Sequence, residues 1–340
     1  MLFALLAVTR RWPVRRIGRT VLVHEQEAFR AALTRVPLDR TAAGTTGGAA
    51  GELAGAGALF DQHGVEHRDA RRDAAALLGA AGVAKLRPIW TKLLDDRLPV
   101  LGAGGRVDLV PLSAEIAGAT AAALLDLDVD PVRLADAARV SAAAAARAHL
   151  PGLGRRRAER SAATAADELL DLVAPPSMRA GAGLNAMLAV AAINTTVAAL
   201  PRAAAWVCDD GLWEHAENPV LVDELLRVTA PTPLLPRVAA EDANVGGCPV
   251  KAGDRLLLVA RNAAEAHRRD PSVVAPAPAR TAQLVFGVGP HACPGAGLAR
   301  AQLGDLLAAL APYRPAVVHA RADRRSALPG WRSLVVRGTA

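Results

Sequence analysis

The spacing of apolar and polar positions divides the chain into a short mixed start, a long helical middle and an irregular, strand-bearing end. Residues 1–8 are apolar throughout but far too few to span a bilayer. Arg10, Arg11, Arg15 and Arg16 follow that run, whereas a secretory signal carries its positive charge first. It is expected to be a buried N-terminal segment. Residues 19–23 predict a strand, and residues 25–36 place apolar side chains at helical spacing. Residues 42–59 are nearly all Ala, Gly and Thr, so they predict a mobile loop. From residue 66 to about 153 the pattern is helical, with breaks at Pro88, Pro99, Gly102 to Gly105 and Pro111. Pro151, Gly152 and Gly154 end that run, and Arg155, Arg156 and Arg157 open the next helix. Beyond Pro175 and Pro176, about residues 184–207 are apolar on every side except at Asn194, Thr195 and Thr196. Such a helix is either buried or membrane-spanning. The polar island and the flanking helices predict a central buried helix and no membrane span.

Past residue 228 the text changes. Pro231, Pro233, Pro236, Gly246, Gly247, Pro249 and Gly253 punctuate short β-like runs such as 255–260. An irregular stretch, about 262–283, leads to Phe286. A helix is expected over 298–310, then hairpin-like text to the end. The fold class is mainly α with small β-sheets, and no internal repeat is found. With 340 residues, 52% of them hydrophobic, and no linker, one large domain is expected.

Composition narrows the function. The net charge of +7 invites a nucleic-acid reading, but the basic residues are scattered and only 3% of residues are aromatic, so no stacking platform forms. Lysine occurs only at Lys85, Lys92 and Lys251. No nucleic-acid partner is expected, although a basic face for an acidic protein partner stays open. Cys208, Cys248 and Cys293 are too few for a disulfide framework and lack Cys-x-x-Cys spacing. A cytoplasmic, reducing location fits. Gly102 to Gly105 precede no helix start and read as a loop. Cys248-Pro249 sits beside a Gly-Gly turn and reads as structural.

The densest stretch is Phe286-Gly287-Val288-Gly289-Pro290-His291-Ala292-Cys293-Pro294-Gly295-Ala296-Gly297-Leu298-Ala299-Arg300. Its glycines let backbone pass close to a large planar ligand, and Gly295 leaves an N–H to point at sulfur. It delivers one cysteine to the start of a helix, where the positive end favours a thiolate. Phe286 can shield that thiolate from water.

This stretch resembles the haem-binding loop of the cytochrome P-450 family, Phe-Gly-x-Gly-x-His-x-Cys-x-Gly-x-x-Leu-Ala-Arg, at every fixed position. The resemblance implies the cytochrome P-450 fold, with haem b (iron protoporphyrin IX) between a central helix and the Cys loop. Cys293 would be the axial ligand of the haem iron. Glu224 and Arg227, three apart, resemble the family's Glu-x-x-Arg helix, and Arg280 best matches the third member of that buried structural network. Arg237, His291 and the pair His67 and Arg71, four apart on one helical face, match the family's partners for the haem propionates. In the central helix Ala191-Ala192-Ile193-Asn194-Thr195-Thr196 matches the oxygen-activating segment. Thr195 stands for the hydroxyl used at bound oxygen, and Asn194 stands where the family usually has an acid. An amide orients water but cannot shuttle protons by ionising, and positioned acid–base groups contribute about 10²–10⁴-fold. Gln302 replaces another acid, a change expected on the surface side.

The resemblance further implies one cytochrome P-450-like domain over 1–340. Residues 1–60 would be a reduced N-terminal β/helix region and flexible loop, without the usual first helix and strand. Residues 61–230 would be the helical part and 231–340 the haem-binding, β-rich part. The activity implied is an oxidoreductase acting on paired donors, a monooxygenase inserting one oxygen atom from O2 into a lipophilic, secondary-metabolite substrate. Electrons would come from a ferredoxin-type donor and its reductase, and the protein is expected to be a monomer. Met187, Val190, Ala191, Leu234, Leu235 and Leu328 are expected to line the pocket. Asn194 motivates a peroxide-using or rearranging haem-thiolate enzyme as an alternative. The short N-terminus motivates a non-catalytic auxiliary subunit of a biosynthetic enzyme.

Overall fold

A computed structural model describes residues 2–54, 64–148, 155–174 and 179–339. In chain order the helices are α1 (Leu2–Thr9), α2 (Gln26–Thr34), α3 (Thr46–Ala54), α4 (Gly64–Leu78), α5 (Ala80–Arg97), α6 (Leu109–Leu124) and α7 (Pro131–Ala148). They continue with α8 (Arg155–Val173), α9 (Arg179–Asp210), α10 (Pro219–Thr229), α11 (Ala260–Ala263), α12 (Ala279–Ala282) and α13 (Ala296–Leu310). The strands are β1 (Val14–Ile17), β2 (Thr20–Val23), β3 (Leu38–Asp39), β4 (Arg106–Asp108) and β5 (Leu235–Ala239). After them come β6 (Ala243–Val245), β7 (Cys248–Val250), β8 (Arg255–Leu258), β9 (Ala316–Asp323) and β10 (Gly330–Arg337). The mainly helical class with small sheets is therefore observed.

Two compact units divide these elements, where one large domain was expected. The first is residues 1–52, 56–63 and 223–293, and the second is residues 53–55, 64–222 and 294–340. In the first, a five-stranded sheet has the order β1-β2-β8-β5-β3, with β2 and β8 parallel and the other pairs antiparallel. Its apolar side chains, among them Val21, Val23, Leu256 and Leu258, join Phe29, Ala32 and Leu33 of α2 in one core. Helix α2 is fixed at its start by Glu25, whose carboxylate accepts from the Glu27 and Ala28 amides at 2.8 and 2.7 Å. β6 and β7 form a hairpin around Gly246 and Gly247, both at positive φ, so Cys248 lies where its sequence context put it.

The second unit is a helical assembly around α9, which packs on α6, α7, α8 and α13 and on the β9–β10 hairpin. β10 also pairs with β4. At 32 residues α9 exceeds the expected 184–207. By length and composition Ala182–Asp210 could cross a membrane, and half of its most apolar window is buried by these neighbours. That packing, with its mid-helix polar residues, is the pattern of a central buried helix.

Three expectations need correction. Residues 46–54 are helical instead of a mobile loop. The Thr45 hydroxyl accepts from the Gly48 amide at 3.0 Å, and the Ala49 amide bonds the Thr45 carbonyl at 3.0 Å, a helix start that outweighs the glycine-rich composition. Residues 55–59 of that stretch lie outside the described residues, as do Pro151, Gly152, Gly154, Pro175 and Pro176. Pro88 does not break a helix but lies inside α5, whose packing against α13 and α6 outweighs one lost hydrogen bond. Finally, the start of the chain is less reduced than expected, since α1, β1 and β2 all precede residue 24. Leu6 is buried there, yet Val8 is largely exposed, so the N-terminal segment is only partly covered.

Candidate functional site

The cysteine loop is built by backbone. The chain leaves a 3-10 turn at Phe286, and Gly287 and Gly289 take φ of +73° and +77°, which L side chains rarely adopt. This reversal lets the Cys293 amide donate to the Phe286 carbonyl at 2.7 Å. A second 3-10 turn, Gly289–His291, leaves His291 half-buried and Cys293 exposed. Phe286 and Gly287 are half-buried and buried respectively, and Gly295 is the N-cap of α13. None of the three cysteines is in a disulfide.

Glu224 and Arg227 meet as expected. Arg227 Nε and Nη2 donate to Glu224 Oε1 and Oε2 at 2.7 and 2.8 Å, and both side chains are buried. The network closes through main chain. Arg227 also donates to the carbonyls of Ala264, Arg269 and Asp270 at 3.4, 3.0 and 3.1 Å, while the Ser272 and Ala277 amides donate to Glu224 at 3.2 and 3.1 Å. Arg280 is not part of it. Its side chain is exposed on α12, and its carbonyl accepts a hydrogen bond from Arg30. Backbone groups at 264–277 occupy the place expected for a third side chain.

Arg237 lies on β5, half-buried. Burial pulls its guanidinium down to about 10, and the like charge of Arg40 adds to the effect. A cation so placed is relieved by an anionic group such as a propionate. In the second unit His67 is buried and Arg71 half-buried on α4, one turn apart. An exposed thiol at a glycine-built loop and a half-buried guanidinium form a donor set that fits haem.

On α9 the polar island is engaged locally. Thr195 Oγ1 donates to the Ala191 carbonyl at 2.8 Å, and Asn194 Nδ2 donates to the Val190 and Ala138 carbonyls at 2.9 and 3.2 Å. Met187 is buried on the same helix; Val190 and Ala191 are half-buried. Leu234 packs with Leu6, Leu22 and Val259, and Leu235 joins the core of the five-stranded sheet. Leu328 is half-buried between β9 and β10.

Gln302 corrects the expectation of a surface change. It is buried on α13, its amide donates to Thr120 Oγ1 of α6 at 3.0 Å, and its carbonyl accepts from Thr196 of α9 at 3.4 Å. Three helices are thereby linked by polar groups that the sequence presents as isolated. The i, i+4 apolar spacing of Leu298, Gln302 and Leu306 was the available signal that position 302 faces inward.

The family model described as "Cytochrome P450", here cytochrome P-450, matches residues 220–311. A putative cytochrome P-450 of Mycobacterium tuberculosis is 34% identical over 177 residues, covering 47% of this chain and 38% of the relative. The 20-oxo-5-O-mycaminosyltylactone 23-monooxygenase of Streptomyces fradiae is 35% identical, covering 39% of this chain and 34% of its own. The matches thus span about a third of the length of these curated relatives. Among solved structures, a cytochrome P-450 of Bacillus megaterium crystallised with testosterone has TM-score 0.78 at 17% identity, covering 100% of this chain and 98% of that one. One from Mycobacterium smegmatis has TM-score 0.75 at 20% identity, covering 98% and 95%. The fold is thus shared along the whole chain. Residues 220–311, which hold the cysteine loop, thus carry cytochrome P-450 family sequence, and the chain has the fold of solved cytochromes P-450.

Proposed function

We propose that this protein is a haem-thiolate monooxygenase that converts a lipophilic substrate RH, with O2, two electrons and two protons, to ROH and water. The observation that carries the reading is the loop from Phe286 to Arg300, whose two positive-φ glycines and Phe286–Cys293 backbone bond deliver an exposed thiol. Bound haem with a thiolate ligand supplies reductive O2 activation and favours O–O cleavage. Cys293 would be the ligand, and Phe286 would limit the access of water to its sulfur once haem is bound. Arg237 and His291 would hold the propionates, and His67 and Arg71 are further candidates by the family resemblance. The Thr195 hydroxyl, which donates to its own helix, keeps lone pairs to accept from a water that carries protons. Glu224 and Arg227 hold the main chain at 264–277 that leads into the loop. Met187, Val190, Ala191, Leu234, Leu235 and Leu328 are the substrate-lining candidates. The net charge of +7 suits an acidic ferredoxin-type donor with its reductase. Relatives named as the S. fradiae enzyme above and as luteothin monooxygenase of Streptomyces thioluteus support a secondary-metabolite substrate class.

The test is the optical spectrum of the reduced, CO-bound protein. A strongly red-shifted Soret band is expected, lost in Cys293→Ser. A histidine-type spectrum would overturn the ligand assignment. Asn194 favours a second reading, a peroxide-using enzyme, because its amide is bonded to two carbonyls and cannot ionise. Turnover with peroxide but none with ferredoxin and reductant would select it.

A further inference from the structure

Three segments of the first unit end beside one apolar cluster. Leu6 of α1, Leu22 of β2 and Val259 before α11 are buried together, with Leu234 and Leu257 packed on them. The residues that follow shortly after, Arg10, His24 and Arg261, are therefore brought to one region. His24 is only 4% exposed, and its Nδ1 lies 2.8 Å from Asn262 Nδ2. With that amide donating, the proton of the neutral ring sits on Nε2. His24 Nε2 is buried with no hydrogen-bond partner. His267, in the turn after α11, is half-buried, and its Nδ1 is likewise buried without a partner. Native proteins rarely leave buried polar atoms so.

The charges felt at His267 come from Arg10, Arg268, Arg261 and His24, with no carboxylate among them. Glu265, two residues earlier in the same turn, is not one of them. Such a field repels a metal cation and attracts an anion. Arg10 and Arg268 are exposed and Arg261 is half-buried, so charge extends from the two rings to the surface.

We infer that His24 and His267, with Arg10, Arg261 and Arg268, form a binding site for a small oxyanion of the sulfate and phosphate class. The oxyanion accepts from His24 Nε2 and His267 Nδ1, and the three guanidinium groups supply the remaining positive charge. None of these residues belongs to the proposed haem site, so the two readings stand or fall separately.

Binding is coupled to protons. Both rings are held down to about 4, His24 by burial and His267 by burial and then by its basic neighbours. A bound anion raises both, so protons are taken up on binding and affinity grows as pH falls below the ordinary histidine value. Sulfate stays dianionic over this range, so its own titration does not intrude.

The experiment is calorimetric titration of the haem-loaded protein with sodium sulfate at about pH 5.5 and about pH 7.5, with chloride holding ionic strength constant. Saturable one-site binding is expected, tighter by about tenfold or more at the lower pH, since one proton taken up gives up to about tenfold per pH unit. His267→Gln and His24→Gln should each weaken it about tenfold and flatten the pH dependence. Arg268→Gln, at an exposed position that leaves folding intact, should weaken it several-fold. An unchanged far-UV dichroism spectrum certifies that each variant is folded. Absence of saturable sulfate binding at the lower pH, or binding unchanged in both His267→Gln and Arg268→Gln, overturns the inference.

Discussion

Removing the Arg227 guanidinium tests how the first unit is held together. In Arg227→Met the carboxylate of Glu224 keeps its two amide donors, Ser272 and Ala277, but loses its bidentate cation. A buried charge left without its partner costs about 3–5 kcal/mol. The carbonyls of Arg269 and Asp270 also lose short donors, which places the effect toward the upper part of that range. At about 2.1 cal/mol/K per residue, 340 residues have an unfolding entropy of about 0.7 kcal/mol/K. Each kcal/mol then moves Tm by about 1.4 °C, and the variant should melt about 4–7 °C below the parent. Guanidinium unfolding followed by far-UV dichroism and by the Soret band measures the same loss. Glu224→Leu combined with Arg227→Met should cost clearly less than the sum of the single changes, because the pair shares one interaction. A loss below about 1 kcal/mol in Arg227→Met, or strict additivity, would refute a buried ion pair as the anchor.

Four further outcomes follow from the same geometry. Arg280→Ala should change stability by less than about 0.5 kcal/mol in denaturant, because only its carbonyl is used. Asn194→Asp removes the donor to the Val190 and Ala138 carbonyls and should cost about 1–3 kcal/mol. If proton delivery limits the enzyme, the same variant should raise product formed per electron consumed. Gln302→Leu should destabilise by about 1–3 kcal/mol in a thermal melt, since it strands the buried Thr120 hydroxyl. Stability should fall with acid between about pH 6.5 and 4: His24 and His267 stay neutral in the fold to about 4, while in the unfolded chain they bind protons first. The slope is up to about 1.4 kcal/mol per pH unit for each ring, and His24→Gln with His267→Gln should flatten it in sulfate-free unfolding curves.

Local chemistry made much of this protein legible before any coordinates. Residues 286–300 state their glycines, cysteine and helix start in one contiguous run, so the loop needs no distant contact to be recognised. Glu224 and Arg227 are likewise readable, because three residues on a helix guarantee proximity. Helix α9 announces itself by apolar length, and the strand at Thr20–Val23 by its β-branched run. What the sequence could not indicate was backbone doing the work of side chains. The Glu224–Arg227 pair closes on carbonyls and amides at 264–277, which every residue possesses, so Arg280 was the natural and mistaken third partner.

Context decided the other cases. Gln302 looks like any polar helix residue until α6 and α9 bring Thr120 and Thr196 to it. Residues 46–54 carry a weak helical composition, and a cap at Thr45 with buried glycines Gly47 and Gly48 tips the balance. The two histidines, 243 positions apart by their numbers, each have a buried ring nitrogen only because segments of the first unit pack over them. The sequence by itself determined the chemistry that sits on one short segment or one helical turn. Tertiary structure alone decided which distant polar groups are buried together, because burial is set by packing between segments and no local pattern encodes it.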